Sequence, residues 1–168
     1  MRALSDFLWH ERDVLELLLH RLESERALLE TGRSARVPLA SREVDAALEA
    51  LRTVELARTA EAAGATQVLG LPADAPLRAI AELAPAPWGE IFAQHRDALR
   101  ELVAAITELT GVQAGTSQEE ELPPVPAAEL THEEPNDAVI ELQLQDIGRK
   151  AATARGHVLQ QGILDFLA

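Results

Sequence analysis

PWGEIFAQHRDALRELVAAITELT, residues Pro87–Thr110, decides the fold. Trp88, Phe92, His95, Leu99, Leu102, Ile106 and Leu109 follow one another at spacings of 4, 3, 4, 3, 4 and 3. That sequence of intervals keeps one face of an α-helix apolar along its whole length, whereas a strand repeats every second residue. Pro87 suits the first turn and Gly111 the stop, so a helix is expected over 87–110.

Upstream the pattern repeats. Leu8, Leu15, Leu22 and Leu29 recur every seven residues, and Leu4 and Leu18 occupy the adjoining row, which Glu11 and Glu25 interrupt. A helix over 5–31 follows, with Ser5 as its N-cap, Asp6 in its first turn and Gly32 just past its end. The two glutamates predict a partly solvated or partner-facing edge. A second helix over 38–69 starts at Pro38 and stops at Gly70 and Pro72, with Val44, Leu48, Leu51, Ala62, Ala65 and Leu69 facing inward. Only residues 32–37 separate the two, which predicts an antiparallel hairpin. Prolines 72, 76, 85 and 87 then bracket a short helix over 77–84, its apolar side formed by Leu77, Ile80 and Leu83.

Residues 111–137 differ in kind, holding seven acidic residues, four prolines and no Lys or Arg. They read as an acidic, Pro-rich linker with too little apolar surface to offset the cost of ordering. Beyond it, residues 138–168 read as a C-terminal amphipathic helix, with Ile140, Leu144, Ile147, Ala151, Ala154 and Val158 again at helical spacing. Gly148 and Gly156 each weaken it by about 1 kcal/mol relative to Ala. Its last residues, Gly162-Ile163-Leu164-Asp165-Phe166-Leu167-Ala168, are apolar enough to need a seat on this chain or on a partner.

Composition agrees. The 168 residues include 30 Ala and 27 Leu against 16 Val plus Ile, a bias toward helix and away from strand. No Cys is present, which excludes disulfide staples, thiolate metal sites and cysteine nucleophiles. The net charge is −13, and the 14 Arg and one Lys are dispersed, so no nucleic acid partner is expected. Neither a signal-type apolar stretch near Met1 nor a membrane-length apolar run is visible; a soluble, cytoplasmic protein without membrane insertion is expected.

Catalytic patterns are scarce. The only Glu-x-x-His, Glu129 to His132, falls in the Pro-rich linker, away from the helices that a di-metal bundle needs. His10-Glu11 lacks the second His of a zinc-protease helix, and no glycine pattern cradles phosphate. His95 lies on a helix seam with no Ser or Asp tied to it by a local motif, the mark of a histidine bonded within the bundle. No enzyme, metal or cofactor is expected.

Several segments resemble FlgN-type flagellar export chaperones of high-GC Gram-positive bacteria. They are Leu8-Trp9-His10-Glu11-Arg12 through Gly32, Arg42-Glu43-Val44 through Arg58, Leu69-Gly70-Leu71, Ala84 through Trp88, His95-Arg96, Leu142-Gln143-Leu144-Gln145 and Leu164-Asp165-Phe166-Leu167. Gly111-Val112-Gln113-Ala114-Gly115 stands where the family usually continues its third long helix, so that helix is expected to stop early. The resemblance implies a chaperone that binds the terminal helices of hook-filament junction (hook-associated) proteins, prevents their premature assembly and delivers them to the flagellar type III export apparatus.

The expectation is therefore an all-α protein: a long antiparallel hairpin in a helical bundle over 1–110, with coiled-coil-like packing and a tethered C-terminal helix. Candidate partner contacts are Leu99, Leu102, Ile106 and Leu109 on the third long helix. Ile140, Leu144, Ile147, Val158, Leu164, Phe166 and Leu167 join them from the C-terminal helix. The alternative is a coiled-coil adaptor whose seams make a homodimer, without an export role.

Overall fold

The computed structural model describes residues 1–111 and 162–168. Ile140, Leu144, Ile147 and Val158, with the linker beyond Gly111, lie outside the described residues. Four helices build the body: α1 (Arg2–Glu30), α2 (Val37–Leu69), α3 (Leu77–Leu83) and α4 (Trp88–Thr110), with a 3-10 turn, Ser34–Arg36, before α2. Residues 162–167 form one further helical segment. Among the described residues there is no strand, and no helix is long and apolar enough to cross a membrane.

At about 1.5 Å per residue, α1 and α2 are rods of about 44 and 50 Å. Three side-chain contacts fix their antiparallel register: Glu11 with Arg58, Glu25 with Ser41 and Arg21 with Glu43. α1 is the spine, packed by α2 on one side and α4 on another, while α2 and α4 make little direct contact. His95 of α4 meets Ser5 and Trp9, near the start of α1. Only three residues of α1 precede Ser5, yet α4 buries Leu99, Val103 and Ile106 beyond His95. α4 must therefore run in the same direction as α1.

Helix ends follow the expected chemistry. Gly32, Gly70 and Gly111 adopt φ of 66°, 71° and 69°, a left-handed conformation that side chains disfavour. The amide of Leu71 reaches back to the Thr66 carbonyl at 2.9 Å, and that of Arg33 to Leu28 at 2.9 Å. α4 stops early at Gly111, as the sequence led one to expect.

Two expectations are corrected. Ser5 does not cap α1, which begins at Arg2; it is buried inside the helix, its hydroxyl 3.2 Å from His95 Nε2. Glu11 and Glu25 are not solvated either: both are buried at the α1–α2 interface. A glutamate in a seam row stays dry when the facing helix brings it a polar partner, here Arg58 and Ser41.

Close approach, not φ, accounts for Gly89. A Cβ there would stand 2.7 Å from the Ala81 carbonyl oxygen of α3 and 3.4 Å from that of Ala84. Gly89→Ala is expected to cost about 1–3 kcal/mol by prising α3 from α4. Urea unfolding checks it; a loss below about 0.5 kcal/mol would show that α3 sits more loosely than this.

Candidate functional site

Inward positions of α2 run 44, 48, 51, 55, 58, 62, 65 and 69, and the apolar seam lapses at Glu55 and Arg58. The row of α1 lapses at Glu11. Folding the hairpin brings these three gaps to one level, where Arg58 Nε donates to Glu11 Oε1 at 3.0 Å. Glu11 is 1% exposed and Arg58 4%, so this is an ion pair in the interior.

Burial dominates its electrostatics. Loss of water pushes the Glu11 carboxyl up to about 7, more than the Arg58 guanidinium brings it down, and Glu55 adds a smaller upward push. Glu55 is raised by burial too, against the opposing pull of Arg58 and Arg52. Two carboxyls thus share one buried arginine, and both take up a proton more readily than they would in water.

The far side of Arg58 is closed by the segment at 162–167. The Phe166 ring lies over the guanidinium, 3.9 Å from carbon to ring centre. Ile163 and Leu167 flank it in sequence at i, i+3 and i+4, which is one face of a helical turn. Both aliphatic side chains are fully buried in the same continuous core as the seams of α1, α2 and α4. Leu164 and Asp165 point outward. The segment is thus seated on the chain's own bundle, and its ring contact is with α2.

Of the candidate contacts, Leu99, Ile106 and Leu167 are buried, and so are Val103 and Ile163, which were not among them. Leu102, Leu109 and Phe166 are half-buried at the edge of that core, and Leu164 is exposed. The bundle thus brings the α4 face and the 162–167 segment into one core, with Leu102 and Leu109 on its rim. Sequence reasoning passed over Arg58, Glu55 and Val103. The signal for the first two was present: a charge standing in an inward position of α2, opposite a charge in an inward position of α1.

A second polar cluster joins α1 to α4. Trp9 meets the His95 ring edge-on at 5.0 Å, and the Arg12 guanidinium lies 4.4 Å from the Trp9 ring centre. Burial, then the Arg12 charge, holds the His95 pKa below its usual value. Ser5 and His95 make a serine–histidine pair that no local motif announces. For nucleophile activation the imidazole must accept a proton and needs a carboxylate to orient it. Here the nearby charge is an arginine, and Nδ1 has no hydrogen-bond partner among the described residues. The pair fastens two helices. Nor do the described residues place three His, Asp or Glu together to hold a metal ion.

No curated protein and no solved structure matches the chain. A family described as FlgN protein does match, over residues 1–111. The matched stretch runs from Met1 to the glycine that closes α4 and spans the hairpin, α3 and the whole α1–α4 interface. It covers about two thirds of the 168 residues, and the chain belongs to the FlgN family.

Proposed function

We propose that this protein is a cytoplasmic chaperone of flagellar type III export. It binds the terminal helices of hook-associated, hook-filament junction proteins and keeps them from assembling early. Membership of the FlgN family supports the flagellar chaperone role. The observation that carries the binding mode is the seat at Arg58, where the body already receives one amphipathic helical turn with two aliphatic side chains and an aromatic one. A surface that accepts such a turn from its own chain has the chemistry to accept one from another.

In this reading Leu99 and Ile106 shape the α4 face from within. Leu102 and Leu109, half-buried at its edge, meet the partner directly. Ile140, Leu144, Ile147 and Val158 extend the apolar contact from residues 138–168, together with Leu164, Phe166 and Leu167. Covering the partner's apolar seam removes the surface through which junction proteins polymerise, and the step needs no bond chemistry.

Calorimetric titration of the full chain with a peptide from the terminal helix of a junction protein tests it. A Kd of about 10 μM or tighter is expected, weakened at least about tenfold by Leu102→Asp/Leu109→Asp. No binding by any junction-protein helix would overturn the reading.

A further inference from the structure

Ile163 and Leu167 are as deeply buried as the central leucines of α1, although about fifty residues of sequence separate them from the end of α4. Between them Phe166 covers a guanidinium that has almost no other access to water. Arg58 is fixed in that position by Glu11, which spends the hydrogen bond of Nε and leaves the planar face of the group for a ring. A planar cation held rigidly at the floor of an apolar seat favours an aromatic side chain over an aliphatic one of equal size, because only the ring's electron-rich face is attracted to it.

We propose that this seat is a docking groove for a single helical turn of the pattern aliphatic-x-x-aromatic-aliphatic, that the Arg58 face selects the aromatic residue, and that the chain's own Ile163-Leu164-Asp165-Phe166-Leu167 is the resident occupant which a partner helix must displace. The pattern is the one the structure displays: two aliphatic side chains four residues apart on one face, with the ring one residue before the second. Asp165 and Leu164 point outward, so the two intervening positions and the exposed side of the turn carry no requirement. The partner is an amphipathic helix bearing that turn. Its identity as a junction-protein helix rests on the proposed function; the groove and its selectivity do not.

The test vacates the seat in the full chain. Ile163→Asp/Leu167→Asp places two charges where the core admits none, so the segment is expected to leave. A fluorescently labelled peptide of residues 158–168 is then titrated against native and vacated chains and followed by anisotropy. Binding to the vacated chain is expected at least about tenfold tighter than to the native one, whose seat is filled. Phe→Ala at the peptide's position 166 is expected to lose about tenfold, while Phe→Trp keeps binding. Arg58→Lys, which retains the charge beside Glu11 and loses the planar face, is expected to remove most of the preference for the aromatic peptide.

Equal affinity for native and vacated chains overturns the proposal, and so does equal binding of the Phe and Ala peptides. If circular dichroism finds the doubly substituted chain unfolded, Phe166→Ala in the full chain serves instead: it opens the Arg58 face alone and is expected to raise peptide affinity over native. No rise there counts against the proposal. An unlabelled junction-protein helix should compete with the labelled peptide. Binding of that helix without competition sinks the shared groove and leaves the chaperone reading standing. Competition only by aromatic-bearing helices of other origin does the reverse.

Discussion

Arg58→Ala is expected to destabilise the protein by about 3–5 kcal/mol at pH 8.5, because it strands the Glu11 carboxylate in the interior. The loss should depend on pH in a defined direction. In the native protein the Glu11 pKa is raised from 4.5 to about 7. The folded state therefore holds a proton that the unfolded state releases, and stability falls as pH rises from about 4.5 to about 7, then levels off. Removing Arg58 removes the largest influence that pulls this pKa down, so the folded value rises further. The variant keeps losing stability above pH 7, where the native protein has ceased to. Native and variant should thus differ by a constant amount at acid pH and diverge above neutrality. Urea unfolding at pH 5.5, 7 and 8.5 measures the divergence; a gap that does not widen would mean that Glu11 does not carry the charge in question. Glu11→Leu/Arg58→Met, which replaces both members by apolar side chains of similar bulk, is expected to recover most of the loss.

His95 works in the opposite sense within the same protein. Its pKa lies below 6.5 in the folded state, so the unfolded chain takes up the proton first and stability falls as pH drops below about 6.5. Between about pH 4.5 and 6.5 the two groups oppose each other, and the native profile there should be shallow. Glu11→Gln removes the larger of the two carboxyl contributions that fall with rising pH, leaving that of Glu55, and should uncover the acid-side loss due to His95.

The body of the fold was legible because helical spacing is redundant. In α4, six successive intervals of 4 and 3 point to one face, and the observed buried set is Phe92, His95, Leu99, Val103 and Ile106: Val103 takes the place nearest the core that Leu102 was expected to fill, and Trp88 and Leu109 at the two ends are only half-buried. Helix ends were legible for a similar reason, since Gly32, Gly70 and Gly111 each stand where a left-handed residue is required. What sequence reading missed was pairing between helices. Glu11 looked like an interruption because its partner is 47 residues away, and Ser5 looked like a cap because its partner, His95, is 90 residues away. Periodicity says which face turns inward but not which inward residue meets which. An unpaired charge and a buried paired one therefore look the same until the register of the hairpin is known. The candidate site shares this limit: Phe166 belonged to a visibly apolar segment, but nothing in its neighbourhood of sequence announced Arg58.

The position of α4 depends on its first turns, and this makes Phe92→Ala the second large effect, expected at about 3–5 kcal/mol. Phe92 is fully buried and its ring stacks on that of Trp88, 6.1 Å between centres at 28°. It lies three residues after Gly89, on the face of α4 that meets the α3 backbone. The seven residues of α3 are too few to hold a helix unaided, so Leu77 and Ile80, both fully buried, keep it folded by packing. Truncating Phe92 leaves a void that neither the short helix nor the Trp88 ring, already half-buried, is free to fill, because the close approach at Gly89 pins α3 against α4 from one side. The damage should be uneven. Amide exchange is expected to quicken most in α3 and at the start of α4, and least in the distal hairpin around Arg21 and Glu43, whose contacts do not involve α4. Exchange that quickens equally everywhere, or a loss below about 1 kcal/mol, would show that Phe92 does not anchor this end. Because α4 supplies Leu102 and Leu109 to the proposed partner surface, the same variant should also weaken partner binding while leaving the Arg58 to Glu11 pair in place. A loss of binding that accompanies only the stability change would then trace the orientation of α4 back to one ring beneath α3.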